Sequence, residues 1–441
     1  MARSAPLQPI HPGNTLWSFS TADFPAYWTS LEQSDLMKRL AADWPRPQAA
    51  AELSARLSTG IRPTPTRWKL WLGYRLAVSQ TPDGIGISAY PGWLLRFVDN
   101  LSIFLLRKRD AEGIAQYKDW YYTWREGFLI ASTSRAYVVS CKTHPDPTPL
   151  QCRADGAPVF EWTGSSEGQI RFLPGDGFPI EGSIKVPVSD GATPITLSRA
   201  YPQPPALCIT ARDTATLQSM GAILANTLKR FDAWNWTTQF ASTYARQSGI
   251  STDLFSFPTG AEQVSLALVS IDTSHTLPVP MFAVAARGSG ATQILPTDVP
   301  VPAPSVSYEW NGFLGNMVPL LGSQMSLYTC VANDDFLMAN SEPIMSDLAG
   351  RLALGPAENG DVDVVISADW KMMAKVLTSL AQFAGEYELL PRLNADDVRY
   401  TVLPKFTGLS KLGTMTLSGR SNKGRIDFTG LLFQPGGVDE P

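Results

Sequence analysis

Cysteine and histidine are scarce in this chain, and their scarcity excludes more chemistry than any motif supplies. Four cysteines (Cys141, Cys152, Cys208 and Cys330) are spread over 441 residues without a CxxC pair. The clustered thiolates of a structural zinc site or a dithiol redox centre are therefore not spelled out. His11, His144 and His275 complete the histidines. Each lies near prolines or in a polar turn, and no two have the spacing of metal ligands. Charge is also thin, at 17% Asp, Glu, Lys and Arg with a net of −4. No stretch gathers lysine and arginine. A nucleic-acid partner needs such a basic face to displace counterions from phosphates, so this class is excluded. Long apolar runs are missing too. The best, Trp93–Leu106, is broken by Arg96 and Asp99 and is shorter than the roughly 20 residues a bilayer requires. No transmembrane segment is expected. The opening MARSAPLQPIHPGN has no apolar core of a secretory signal. That leaves a cytoplasmic protein, or an exported one whose leader has been replaced.

What is present is the composition of a folded protein. Hydrophobic residues make up 44%, with 35 prolines, 34 glycines and 13 tryptophans. This mixture implies many turns and strands with large aromatic side chains between them, and the length implies two or three domains.

Three stretches share one design: an apolar strand, a small hydroxyl residue, Ala, Asp and an amphipathic helix. They are Thr15–Leu31, Leu207–Leu228 and Asp363–Ala384. Asp23, Asp213 and Asp369 stand where a carboxylate can accept hydrogen bonds from the first helical turn and complement its dipole. A second pair of similar segments, GFLIAST at Gly127–Thr133 and DFLMANS at Asp335–Ser341, is spaced more widely than the two later strand–helix copies. That change of spacing predicts an insertion in the first half. Lys142–Ala206 is its candidate, with 11 of the 35 prolines among short strand-like runs. The expected fold is α+β: two duplicated halves, with antiparallel sheets each covered by Asp-capped amphipathic helices. The expected boundaries are an extended arm at 1–13, a first half at 14–240 containing the β-rich insertion at 142–206, and a second half at 241–441.

Catalytic motifs do not survive inspection. Gly164-Ser165-Ser166-Glu167-Gly168 matches G-x-S-x-G, but QIRFLPGDGFP follows it, where a nucleophile elbow requires a helix. Asn333-Asp334-Asp335 and Asp361/Asp363 lack the alternating oxygen ligands of a calcium loop. Arg287-Gly288-Ser289-Gly290 is not followed by the helix of a phosphate loop. No catalytic, cofactor-binding or metal-binding residue is selected. The feature that stands out is aromatic: Tyr117, Trp120, Tyr121, Tyr122 and Trp124 fall within eight positions. They either form a patch that stacks on sugars or docks a partner, or fill a helix–sheet interface. Cys141 and Cys152, separated by a proline-rich loop, are close enough in sequence for a disulfide in an oxidising compartment.

The strand–helix copies, the FLxA strands and the opening Pro12-Gly13-Asn14-Thr15 resemble an uncharacterised bacterial envelope-associated protein family of unknown function with duplicated strand–helix units. The resemblance implies a periplasmic or cell-envelope location and supplies no activity. The reading that follows is a non-enzymatic structural or interaction protein of a bacterial envelope assembly, with other protein subunits as partners and glycan as a further candidate. The alternatives are a glycan-acting hydrolase with two convergent carboxylates and a carrier of an apolar ligand.

Overall fold

The computed structural model describes residues 12, 14–36, 73–92, 95–97, 100, 109–143, 157–162, 167–173, 175–186, 195, 201, 204–230, 261–274, 278–288, 306–319, 326–332, 335–352, 362–387 and 395–434. Several expectations lie outside them: most of the 1–13 arm, the three histidines, Ser165 and Ser166, Cys152, Asp334 and Asp361. Contacts divide the chain into two compact units, Met1–Ala41 with Pro45–Ile184, and Ala42–Trp44 with Lys185–Pro441.

The first unit opens with β1 (Trp17–Thr21) and α1 (Phe24–Gln33). A hairpin of β2 (Leu76–Thr81) and β3 (Gly84–Ala89) follows, then β4 (Ala115–Tyr117), β5 (Trp120–Arg125), β6 (Phe128–Ser132) and α2 (Arg135–Thr143). It closes with β7 (Val159–Trp162), β8 (Gly168–Phe172) and β9 (Pro179–Lys185). All pairings are antiparallel, in the order β9-β8-β7-β1-β2-β3-β6-β5-β4. Glu126 and Gly127 join β5 to β6 with φ of 51° and 82°. Two left-handed residues in succession make the tight turn whose twist matches antiparallel strands.

The second unit begins with β10 (Leu207–Ala211) and α3 (Thr214–Arg230), then β11 (Gln263–Asp272), β12 (Val279–Arg287), β13 (Val306–Trp310), β14 (Phe313–Pro319), β15 (Ser326–Ala332) and β16 (Asp335–Ala339). After α4 (Glu342–Leu352) come β17 (Val364–Asp369), α5 (Trp370–Glu386), short helical turns through Leu409, and the hairpin of β18 (Thr414–Asn422) and β19 (Arg425–Leu431). Its antiparallel order is β19-β18-β17-β10-β11-β12-β16-β15-β14-β13. In each unit the opening strand therefore lies mid-sheet, beside a strand contributed much later in sequence.

These pairings correct the expected fold class. Strand accounts for 45% of the described residues and helix for 29%, so the protein is mostly β and not a pair of duplicated sheets covered by helices. The stretches at Leu207 and Asp363, expected as counterparts in separate halves, are hydrogen-bonded neighbours: Cys208 faces Ser367 and Thr210 faces Val365. The described part of 142–206 supplies β7, β8 and β9, and β7 pairs with β1 from Ser20↔Val159 to Trp17↔Trp162. The physical reason is that an apolar strand followed by a capped helix is a local signal. Which strand becomes its neighbour is a long-range one.

The three Asp caps do form. Asp23 accepts from the Ala26 N–H at 3.1 Å, Asp213 from Thr216 at 2.6 Å and Asp369 from Met372 at 2.9 Å.

Candidate functional site

Register decides which aromatic side chains meet. Tyr117 faces Trp120, Tyr122 faces Ala131 and Trp124 faces Leu129. Because side chains alternate along a strand, Tyr117, Trp120, Tyr122 and Trp124 share one face of the sheet. Tyr121 lies on the other, packed against the buried cluster of Phe128, Ile130, Tyr137, Val138 and Cys141 beneath α2. The five predicted patch residues are thus divided four to one. The face with four continues through Ile87, Val78, Phe19 and Phe160, each directly opposite the next. Trp17 stacks on Phe160 with centroids 5.8 Å apart, and Phe160 lies 6.0 Å from Trp162.

The two faces of this unit differ in the size of their side chains away from the cluster beneath α2. On the α2 side stand Ser18, Ser20, Ser79, Ser88 and Ser132, all at most 2% exposed. The large apolar residues of the other side are mostly half-buried, and Tyr117 and Ile85 are about half exposed, at 51% and 50%. Small side chains let the helix approach the strands closely. Tyr137 of α2 lies directly over Gly86, where a Cβ would come within 2.0 Å of its ring. The Tyr137 hydroxyl and Ser79 hydroxyl are hydrogen-bonded at 2.6 Å.

Beside the β5–β6 turn lies a pocket of about 280 Å³ lined by Gly73, Tyr74, Tyr90, Pro91, Gly92 and Arg96. Tyr90 is fixed from below by an edge-on contact with Phe128, at 5.3 Å between centroids. The Arg96 guanidinium lies over the Tyr90 ring, 4.5 Å from its centroid, and donates through Nη2 to the Gly127 carbonyl at 3.3 Å. Its Nε is buried without an acceptor. The sequence showed Arg96 only as an interruption in an apolar run, and nothing local marks it as part of a pocket.

The buried thiols do not resemble nucleophiles. Burial pushes the Cys141 thiol up to about 12, although a hydrogen bond with Tyr137 one turn earlier opposes the shift. Cys208 is likewise pushed up by burial, against hydrogen bonds with Ser265 and Thr210 at 3.4 and 3.7 Å. Cys330 is raised by burial as well. Protonated, buried thiols are poor nucleophiles. All three are free thiols, and Cys152, the predicted partner of Cys141, lies outside the described residues.

Among the described residues, carboxylates serve mostly as structural partners. Arg287 holds Asp335 in a two-pronged contact, both distances 2.6 Å, linking β12 to β16. Arg212 and Asp363 form a pair at 2.6 Å between the end of β10 and the start of β17, with side chains 10% and 7% exposed. Asp363 also accepts from the Ser421 N–H. Asp110, held low chiefly by Arg135, accepts from the N–H groups of Glu112 and Ile114. Glu161 on β7 differs: partial burial raises its carboxyl pKa from the ordinary value. It is the candidate acid that sequence reasoning missed, since nothing around it in the chain announces burial. No group of three potential metal ligands occurs among the described residues. No helix there is long and apolar enough to cross a membrane.

Compared with known proteins, the chain matches no family model, no curated protein and no solved structure.

Proposed function

We propose that this is a non-enzymatic interaction protein, a component of a bacterial envelope assembly, that engages another protein subunit through the aromatic face of its first unit. One observation carries the reading: the sheet buries small serines on its α2 side and turns Trp17, Phe19, Trp120, Trp124 and Phe160 to the opposite side, continuous with the exposed Tyr117. Aromatic residues give large contact area at small entropic cost and dominate protein interfaces where they cluster. The envelope setting rests on the sequence resemblance.

The reading is tested by placing a photo-crosslinking phenylalanine derivative at position 117 in bacterial cells. A discrete protein adduct is expected in the envelope fraction, and it should disappear when Trp120 and Trp124 are both replaced by alanine. An adduct that persists in that variant, or a chain found wholly in the cytoplasm, would defeat the proposal. Cleavage of a defined glycan by the purified chain would defeat it in favour of the hydrolase.

A further inference from the structure

The Arg96 pocket is lined by none of the residues on which the interaction reading rests, and its chemistry is different. Arginine carries five N–H donors and a charge that is always present. Here one nitrogen, Nη2, is engaged by the Gly127 carbonyl, the cation rests on Tyr90, and Nε has no acceptor. Among the described residues no carboxylate forms a salt bridge with it. Nε is itself out of a ligand's reach, but an arginine fixed in place by stacking, with its charge unneutralised and Nη1 unengaged, is organised to receive an anion. The rest of the wall is Tyr74, Pro91 and two glycines, which offer flat apolar surface. At about 280 Å³ the pocket is at the small end for ligand sites, too small for a lipid chain or an oligosaccharide.

We propose that this pocket binds a small carboxylate carried on a flat apolar body, the carboxylate accepting from Arg96 and the body lying against Tyr74 and Pro91. A carboxylate suits the site better than a phosphate. The planar guanidinium matches a two-oxygen acceptor, whereas a phosphate dianion calls for more than one positive charge, and Arg96 is the single cation among the lining residues. The carboxylate could come from a free aromatic acid or from the C-terminal residue of a peptide, and the recognising chemistry is the same.

The probes are benzoate, its neutral isostere benzamide, inorganic phosphate and a short peptide ending in phenylalanine, each titrated calorimetrically into the full-length chain. Benzoate or the peptide is expected to bind with a dissociation constant of about 1 mM or below, and benzamide and phosphate at least about tenfold more weakly. The tighter of benzoate and peptide identifies the source. Arg96→Gln should abolish the preference for benzoate over benzamide. Should Arg96→Gln fail to fold, Tyr74→Ala tests the same site, because Tyr74 is 45% exposed and lines the pocket, and its removal should weaken benzoate severalfold. The proposal is overturned if benzoate and benzamide bind alike, if phosphate binds best, if neither variant changes binding, or if no probe binds at about 10 mM.

Discussion

Asp213 and Asp369 occupy the same place in their helices, and each accepts from the N–H three residues on. Such caps satisfy a donor that helix geometry leaves unpaired. Asp369→Ala should cost about 1 kcal/mol of stability, measured by urea denaturation, with no change in photo-crosslinking at position 117. A loss of the crosslink with stability intact would give this carboxylate a functional part it is not assigned here. Glu161 makes the opposite kind of prediction. Burial lifts its pKa, so the folded protein holds this proton more tightly than the unfolded chain does. Its contribution to stability is fully present below the ordinary glutamate range and is lost as pH rises through the raised value. Glu161→Gln, which cannot ionise, should lack that decline and be more stable than the parent at neutral pH, with the difference shrinking in acid. Thermal melts across the acid range would show it, and parallel curves for the two proteins would mean that Glu161 titrates normally.

At the scale of the element, three sheet glycines lie under aromatic rings. Gly86 lies under Tyr137, Gly168 under Trp162 and Gly315 under Trp310, and a Cβ at each would approach ring atoms to 2.0, 2.1 and 2.5 Å. Glycine normally weakens a strand, but the ring restores the buried contact that the missing side chain would have made. The two tryptophans reach across to the glycine or lie near it on the adjacent strand: Trp162 is directly opposite Gly168. Gly86→Ala must push Tyr137 away from the sheet and disturb its hydrogen bond to Ser79. The expected cost is about 1–3 kcal/mol, read from chemical denaturation. A second readout is greater reactivity of Cys141, whose thiol shares the same buried cluster. An unchanged midpoint and unchanged thiol reactivity would show that α2 does not depend on this close approach.

For the molecule as a whole, the decisive fact is that each sheet is completed by strands distant in sequence. β7 stands between β1 and β8, so the first unit depends on residues that read locally as a proline-rich excursion. Removing 157–186 should therefore prevent the first unit from folding: β1 would lose a neighbour along four residue pairs, and Phe19 would lose Phe160 opposite it. Near-ultraviolet circular dichroism and proteolysis of the shortened chain would test this. A cooperative, protease-resistant first unit without 157–186 would show that β1 does not need β7 as its neighbour.

The local signals legible in the chain were the three Asp caps, which form where the strand–helix stretches place them. Each depends on neighbours within a few residues, where propensity and hydrogen bonding act directly. The aromatic cluster was legible as composition, but not the placement of Tyr121 on one face and its four companions on the other. That needed the strand register. Only tertiary structure made β10 and β17 neighbours, half-buried Glu161, and brought Arg96 over Tyr90 beside the carbonyl of Gly127. Burial and strand partnership are set by segments far apart along the chain, whose approach is governed by packing the whole sheet and not by any residue's own preference.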